Sequence, residues 1–405
     1  MHSEYASEWF SAMQEEMKSM STNKVWDLVE IPQGAKTVGY KWVYKTKYDS
    51  KGNIERFKAR LMAKDFTQRE GIDYETFSPV SSKDSFRIIM ALVAHFNLEL
   101  HQMDVKTAFL NGDLHEDVYM AQPESFVVQD KEHLGCRLKK SIYGLKQASR
   151  QWYLKFDQII RQFGFNENKM DNCIYSKFRG SKLVFLELYV DDILLASSDI
   201  NLLLETKKFL SCKFDMKDLG VASYDLGIEI HRDRSNGILG LSQKTYIEKV
   251  LEKYNMYKYL ASPAPIVKGD KFGTFQCPKN EFEAAQMKTI PYASAVGSIM
   301  YAQVCTRPDL AFITGMLGRY QSNPGIDHWK AVKKALRYIQ GTKDLMLTYK
   351  RSDNLEVIGY LDADFAGCVD TKKSTSGYIF TLAGGAICKA PNKQLLLHQR
   401  CKQNL

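Results

Sequence analysis

No apolar run in this 405-residue chain reaches the roughly 18 residues that a bilayer-spanning helix needs, so no membrane-spanning helix is expected. The first twenty residues, MHSEYASEWFSAMQEEMKSM, contain neither a charged n-region nor an apolar core, so they do not read as a signal peptide. The eight cysteines stand singly and none forms a CxxC pair. A zinc ribbon or a disulfide framework is therefore not expected. Free thiols in a reducing, intracellular compartment fit this usage. No internal repeat is found. Extended disorder is also excluded, because 44% of the residues are apolar and 25% charged, as in ordinary globular proteins. The length allows two or more domains.

What the chain does have is localised positive charge. The net charge is +9. Between Lys36 and Arg69, ten basic residues face three acids (Asp49, Glu55 and Asp65), a local excess of +7. A second stretch, RLKKSIYGLKQASR (137–150), holds five basic residues and no acid. Aromatics are interleaved with both (Tyr40, Trp42, Tyr44, Phe57, Tyr143, Trp152, Tyr153). Rings stack on bases and cations neutralise phosphates, so the pattern favours a polyanion partner over two solvated faces.

Periodicity gives a mixed α/β (α+β) order. Residues 4–20 carry Trp9, Met13, Met17 and Met20 at helical spacing. Residues 36–66 alternate as a hairpin around DSKGN. Helices are expected at 81–97, 150–165 and 201–214, with strands at 98–105 and 182–190. A strand pair turns at Asn236-Gly237, and a helix follows. Residues 261–289, rich in Pro, Gly and Lys, read as a linker. Helical stretches at 292–304, 308–321 and 326–340 precede a strand-rich end from Leu347.

One motif carries chemistry. In ELYVDDILLA (187–196) two adjacent carboxylates, Asp191 and Asp192, interrupt an apolar run. A hairpin with buried arms and an accessible tip would place both at one rigid spot, where hard cations such as Mg²⁺ take oxygen ligands. The third acid expected is Asp104. It continues the face of Leu98 and Leu100, where a core strand would hold an apolar side chain. Asp113 and Asp117, in the polar stretch NGDLHEDV, read as solvated loop residues.

These residues and their neighbours resemble the reverse transcriptase of copia-type LTR retrotransposons, part of their Pol polyprotein. The segments that carry the resemblance are collinear. They include residues 26–80 (WDLVEIPQGAK…ETFSPV), QMDVKTAFLNGDLHEDVYMAQPESF (102–126), LKKSIYGLKQASRQWY (138–153), LYVDDILL (188–195) and GYLDADFAGCVDTKKSTSGYIF (359–380). The resemblance runs from Trp9 to about Ile387. It implies a polymerase-like right hand of fingers, palm and thumb, then a helical connection and a truncated ribonuclease H-like, β-rich segment. The divisions expected are 1–24, 25–258, 259–345 and 346–405. It implies Asp104, Asp191 and Asp192 as metal ligands for two Mg²⁺ ions, with Mn²⁺ as a substitute. It further implies Phe109 as the ring that excludes a 2′-hydroxyl. Gln147 and Tyr189 would lie near the incoming nucleotide, and Lys58 and Arg60 at its triphosphate. The partners implied are an RNA template, a DNA primer and deoxynucleoside triphosphates. Asp362 matches the first ribonuclease H acid, with Asp364 as its rival. The setting implied is cytoplasmic, in a virus-like particle, or nuclear.

Three departures qualify the resemblance. Asp65 stands where the family reads Gly, and Asp225 stands where an aromatic precedes Leu-Gly. If Asp225 is buried, its charge destabilises the region. The tail ICKAPNKQLLLHQRCKQNL lacks the family's text. Back-translated from Lys389 one nucleotide early, however, it yields Ser-Ser-Lys-Gln-Thr-x-Ile-Thr-Ala-Ser-x-Met. A frameshift near codon 388 is therefore expected, with loss of ribonuclease H activity and an exposed, aggregation-prone sheet edge. The start, just ahead of the reverse transcriptase, suggests an isolated genomic fragment. The alternative reading is a silent relic that at most binds nucleic acid.

Overall fold

A computed structural model describes residues 5–48, 52–64, 78–267, 269–363, 368–374 and 376–391. Asp65, Asp364 and the tail from residue 392 lie outside the described residues. The chain forms two compact units, residues 1–81 with 101–220 and residues 82–100 with 221–405. Both mix helix and sheet, in keeping with the expected α/β class.

The first half of the chain begins with α1 (Ala6–Thr22), β1 (Trp26–Val29), β2 (Thr37–Val38), β3 (Tyr40–Tyr48) and β4 (Ile54–Ala63). Next come α2 (Lys83–Phe96), β5 (Glu99–Val105), β6 (Asp113–Met120), β7 (Gly135–Lys140) and α3 (Ala148–Gln162). β8 (Asn166–Glu167), β9 (Ile174–Arg179), β10 (Lys182–Tyr189), β11 (Asp192–Ser197), α4 (Ile200–Lys213) and β12 (Met216–Val221) follow. Helix boundaries fall where short polar side chains cap them. Ser82 accepts from the Ser85 amide at the start of α2, and Asp199 accepts from the Leu202 amide at the start of α4.

In the first unit, β3 and β4 pair as the expected antiparallel hairpin. A six-stranded sheet in the order β12-β5-β11-β10-β9-β8 forms its centre. Its core includes Val184, Leu186, Ile193 and Leu195 from the central hairpin, with Trp152, Phe156 and Ile160 of α3 against them. One expectation is corrected here. Asp113 and Asp117 belong to strand β6, not to a loop; they pair with Lys155 and Arg137 at 2.9 and 2.7 Å. Ion pairs with lysine and arginine let acids sit on a strand that polarity alone reads as a loop.

The second half adds β13 (Tyr224–Asp225), β14 (Ile228–Asp233), β15 (Ile238–Ser242), α5 (Lys244–Lys253) and α6 (Glu281–Lys288). α7 (Tyr292–Cys305), α8 (Ala311–Gly318), α9 (Ile326–Gly341) and β16 (Leu347–Lys350) follow, then β17 (Ile358–Ala363), β18 (Ser376–Leu382) and β19 (Gly385–Pro391). α6 forms inside the span read as a linker, where Asn280 caps it by accepting from the Glu283 amide. β16, the first strand of the strand-rich end, hydrogen-bonds to β15 in the sheet β13-β14-β15-β16. The helices pack around Leu251, Val296, Leu317 and Leu336. β17, β18 and β19 make a separate three-stranded sheet with β17 at an edge. Asp225 is buried at 4% exposure, so the condition for a desolvation cost is met.

Candidate active site

The DD hairpin is built as the apolar pattern requires. Tyr189 pairs with Asp192 and Leu188 with Ile193, which leaves Val190-Asp191 as a two-residue tip. The arms are buried, but the tip is half-buried rather than open. Val190 sits at φ +58°, a left-handed conformation that a β-branched residue rarely adopts. Two hydrogen bonds hold it there. The Trp152 indole Nε1 donates to the Val190 carbonyl at 2.6 Å, and the Val105 amide donates to the Asp191 carbonyl at 2.8 Å. Strain that the surroundings enforce in this way is characteristic of functional sites.

Asp191 and Asp104 both line a cavity of about 360 Å³ within the first unit. β4 contributes Arg56, Lys58 and Arg60 to its walls. Lys106, Asp215 and Lys217 complete a third side, where Lys106 Nζ pairs with Asp215 at 2.9 Å. The cavity is electrostatically divided. Burial, followed by the neighbouring charge of Asp191, raises the Asp104 carboxyl above its ordinary value; Lys58, Lys217 and Arg60 pull it back. Burial also lowers the Lys58 ammonium, helped by Arg60, Arg56 and Lys47 and opposed by Asp104. Asp104 and Asp191 thus share a cavity with three cations of one strand. The acids suit a divalent cation and the cations suit phosphates.

The third expected ligand is arranged differently. Asp192 accepts from Gln102 Nε2 at 3.3 Å and is not part of the cavity wall. Among the described residues, no group of three or more His, Cys, Asp or Glu side chains is placed to hold a metal ion. Phe109 is half-buried, its ring 5.2 Å from that of Tyr143. Gln147 is buried at 1% exposure at the start of α3. Tyr189 is half-buried at the end of β10. None of these three lines the cavity. Asp362 lies exposed on β17.

The basic wall depends on one glycine. Gly144 has φ +93°, and a Cβ there would meet the Ala63 carbonyl oxygen at 2.2 Å. This close approach lets the Ala63 amide donate to the Tyr143 carbonyl at 2.7 Å and brings the Tyr143 ring beneath Arg60. The guanidinium carbon lies 4.0 Å from the ring centroid. Periodicity did not single out Glu15, Glu16 or Ser19 of α1, which form another wall of the cavity. Glu16 falls three residues after Met13 and four before Met20, so helical spacing does put it on the buried stripe.

A family model described as reverse transcriptase (RNA-dependent DNA polymerase) matches residues 23–268. The chain belongs to the reverse transcriptase family. The match holds the hairpin, Asp104 and the basic strand β4. The chain is 48% identical over 378 residues to the retrovirus-related Pol polyprotein from transposon TNT 1-94 of Nicotiana tabacum, covering 93% of this chain and 28% of that protein. It is 38% identical over 390 residues to the Pol polyprotein from transposon RE2 of Arabidopsis thaliana, covering 95% and 26%. The putative transposon Ty5-1 protein of Saccharomyces cerevisiae is 30% identical over 292 residues, 72% of this chain and 92% of that protein. The chain thus spans about a quarter of the two Pol polyproteins, and the copia-type resemblance read from the sequence is borne out. No helix among the described residues is long and apolar enough to cross a membrane.

Proposed function

We propose that this reverse transcriptase domain performs template-directed nucleotidyl transfer at the cavity between β4 and the Asp191 hairpin. An RNA template, a DNA primer and deoxynucleoside triphosphates are its substrates. The observation that carries the reading is the pairing of Asp104 and Asp191 with Lys58 and Arg60 around one cavity inside the family match. Lys58 and Arg60 bind the triphosphate. Asp104 and Asp191, joined by Asp192 if it leaves Gln102, would hold divalent cations, Mg²⁺ or Mn²⁺. When bound there, such ions supply Lewis acidity and charge neutralisation at the transferred phosphoryl group. The tethers on Val190 and Asp191 fix the carboxylate position before substrate arrives, which lowers the reorganisation cost of reaction. Phe109 selects against a 2′-hydroxyl, and Gln147 and Tyr189 support the nucleotide pocket from behind its wall. The chain is organised as an N-terminal helix (1–24), fingers, palm and thumb (25–258), a helical connection (259–345) and a ribonuclease H-like remnant (346–405). The altered text of the tail from about residue 388 replaces the stretch that would carry the partners of Asp362 or Asp364, so this remnant does not cleave RNA. The protein works inside the cell, in a cytoplasmic particle or the nucleus.

Primer extension on an RNA template with Mg²⁺, comparing the native chain with Asp191→Asn, tests the reading. Extension no greater than the variant's background would overturn it. One observation favours a second reading, a relic that only binds nucleic acid: Asp192 is engaged by Gln102 instead of joining Asp104 and Asp191 on the cavity wall. Template binding with a steep salt dependence, without extension, would support the relic.

A further inference from the structure

We propose that Tyr143 is a positioning residue that couples the two ends of the nucleotide pocket: one ring steadies both the Arg60 guanidinium, which meets the triphosphate, and Phe109, which meets the sugar. The inference rests on the nucleotidyl-transfer reading above. Tyr143 does not line the cavity, so its effect on the nucleotide passes through these two neighbours.

Both contacts are direct. The guanidinium carbon of Arg60 lies 4.0 Å from the centre of the Tyr143 ring, a cation–π geometry. The centre of the Phe109 ring lies 5.2 Å from the same tyrosine, with the two planes at 50°. That separation is within the range where aromatic pairs attract beyond their buried area. Burial pushes the Tyr143 hydroxyl up to about 12, so at neutral pH the ring is an uncharged phenol and meets Arg60 with its π-face.

The tyrosine is itself fixed in the chain. Met62 and Tyr143 form an isolated parallel bridge, and the Ala63 amide donates to the Tyr143 carbonyl at 2.7 Å. Gly144, at φ +93°, permits this approach, because a Cβ there would meet the Ala63 carbonyl oxygen at 2.2 Å. Tyr143 is therefore anchored to β4, the strand that carries Arg60, only two residues beyond it. Phe109 packs against two hydrophobic clusters of the first unit, one around Trp152 and Leu186 and one around Leu61 and Leu138. Tyr143 packs against the second of these. A shift of its ring would disturb a phosphate contact and a sugar contact together.

The test uses the full chain. Steady-state primer extension gives KM and kcat for a deoxynucleoside triphosphate and for its ribonucleoside counterpart. Titration with base-labelled fluorescent analogues of both gives Kd without chemistry, and a urea midpoint follows folding. Tyr143→Leu removes the ring and keeps an apolar side chain. It should raise the deoxynucleotide KM and Kd about fivefold, the loss expected of one cation–π contact, with kcat within about twofold. It should also lower the preference for deoxynucleotides over ribonucleotides about threefold, as a loosened Phe109 admits a 2′-hydroxyl. Tyr143→Phe keeps the ring and should recover most of both losses. Tyr143→Met serves if Tyr143→Leu does not fold. In an Arg60→Ala background Tyr143→Leu should add nothing to KM and still lower the preference. In a Phe109→Ala background the reverse should hold, since only coupled residues are non-additive.

Unchanged KM, Kd and preference, with the urea midpoint alone lowered, would overturn the inference and leave Tyr143 as a packing residue. So would a change in only one of the two nucleotide readouts, or additive KM losses in the Arg60→Ala background. Failure of the native chain to extend a primer above the Asp191→Asn background would sink the polymerase reading instead. The paired analogue titrations would still decide whether Tyr143 acts through Arg60 and Phe109.

Discussion

Asp191 and Asp362 are both strand-associated acids that the family resemblance marks for metal chemistry, yet their surroundings are opposites. Asp191 is half-buried at a hairpin tip whose two carbonyls are each tied down by a donor, and it shares a cavity with Asp104 and three cations of β4. Asp362 is exposed on an edge strand whose neighbours Tyr360 and Leu361 are 58% and 83% exposed, on opposite faces. A carboxylate gains catalytic leverage from a low-polarity, pre-arranged setting that water does not level. The first acid has such a setting. The second has a motif without one.

The largest expected effect breaks the comparison at its centre. Asp191→Asn should reduce primer extension by about 10³-fold or more, whereas Asp362→Asn should leave it within about twofold. Equal losses would show that the exposed acid takes part. Lys58→Gln should come next, raising the nucleotide KM roughly tenfold with little change in kcat, as measured by steady-state extension at varied nucleotide concentration. Trp152→Phe removes the donor to the Val190 carbonyl. It should destabilise the protein by about 1–3 kcal/mol, read from its urea midpoint.

A smaller effect concerns pH. The folded-state carboxyl of Asp104 titrates above its ordinary value, so its charged form costs stability at neutral pH. That cost is present above the raised value and disappears as pH falls to the ordinary carboxylate range. Asp104→Asn should therefore raise Tm at pH 7, by less than about 3 °C, with the gain vanishing under acid. Adding Mg²⁺ should raise the Tm of the native chain and not that of Asp104→Asn. The smallest effect lies on the exposed strand. Leu361→Lys should change stability by under about 0.5 kcal/mol. It should reduce concentration-dependent self-association in sedimentation, since a charge blunts an apolar edge.

Much of the first region was legible from the sequence. Asp104 and Asp191 stood out because charge interrupts apolar strands, and the β3–β4 hairpin followed from alternation and turn residues. The setting of Asp192 was not legible, because residue order does not record that Asp191 falls in the tip on the cavity wall while Asp192 begins β11 beside Gln102. Nor was the left-handed Val190, whose strain depends on Trp152, 38 positions earlier. Glu16 is bracketed by the spacing of Met13 and Met20, but a charged residue within an apolar stripe gives no sequence signal that it is buried. The pairing of β16 with β15 joins segments about a hundred residues apart, which no local pattern encodes. Aspartates on β6 read as loop because their salt-bridge partners lie elsewhere in the chain.

The indole of Trp152 has an optical consequence. It is 2% exposed, and its N–H points at the carbonyl of the strained tip residue. Indole fluorescence shifts to longer wavelength and weakens or strengthens as such a bond is made or lost. The difference between the emission of the native chain and that of Trp152→Phe is therefore a built-in signal from the hairpin itself. It can be followed during mixing with nucleotide, without any dye attached to the protein.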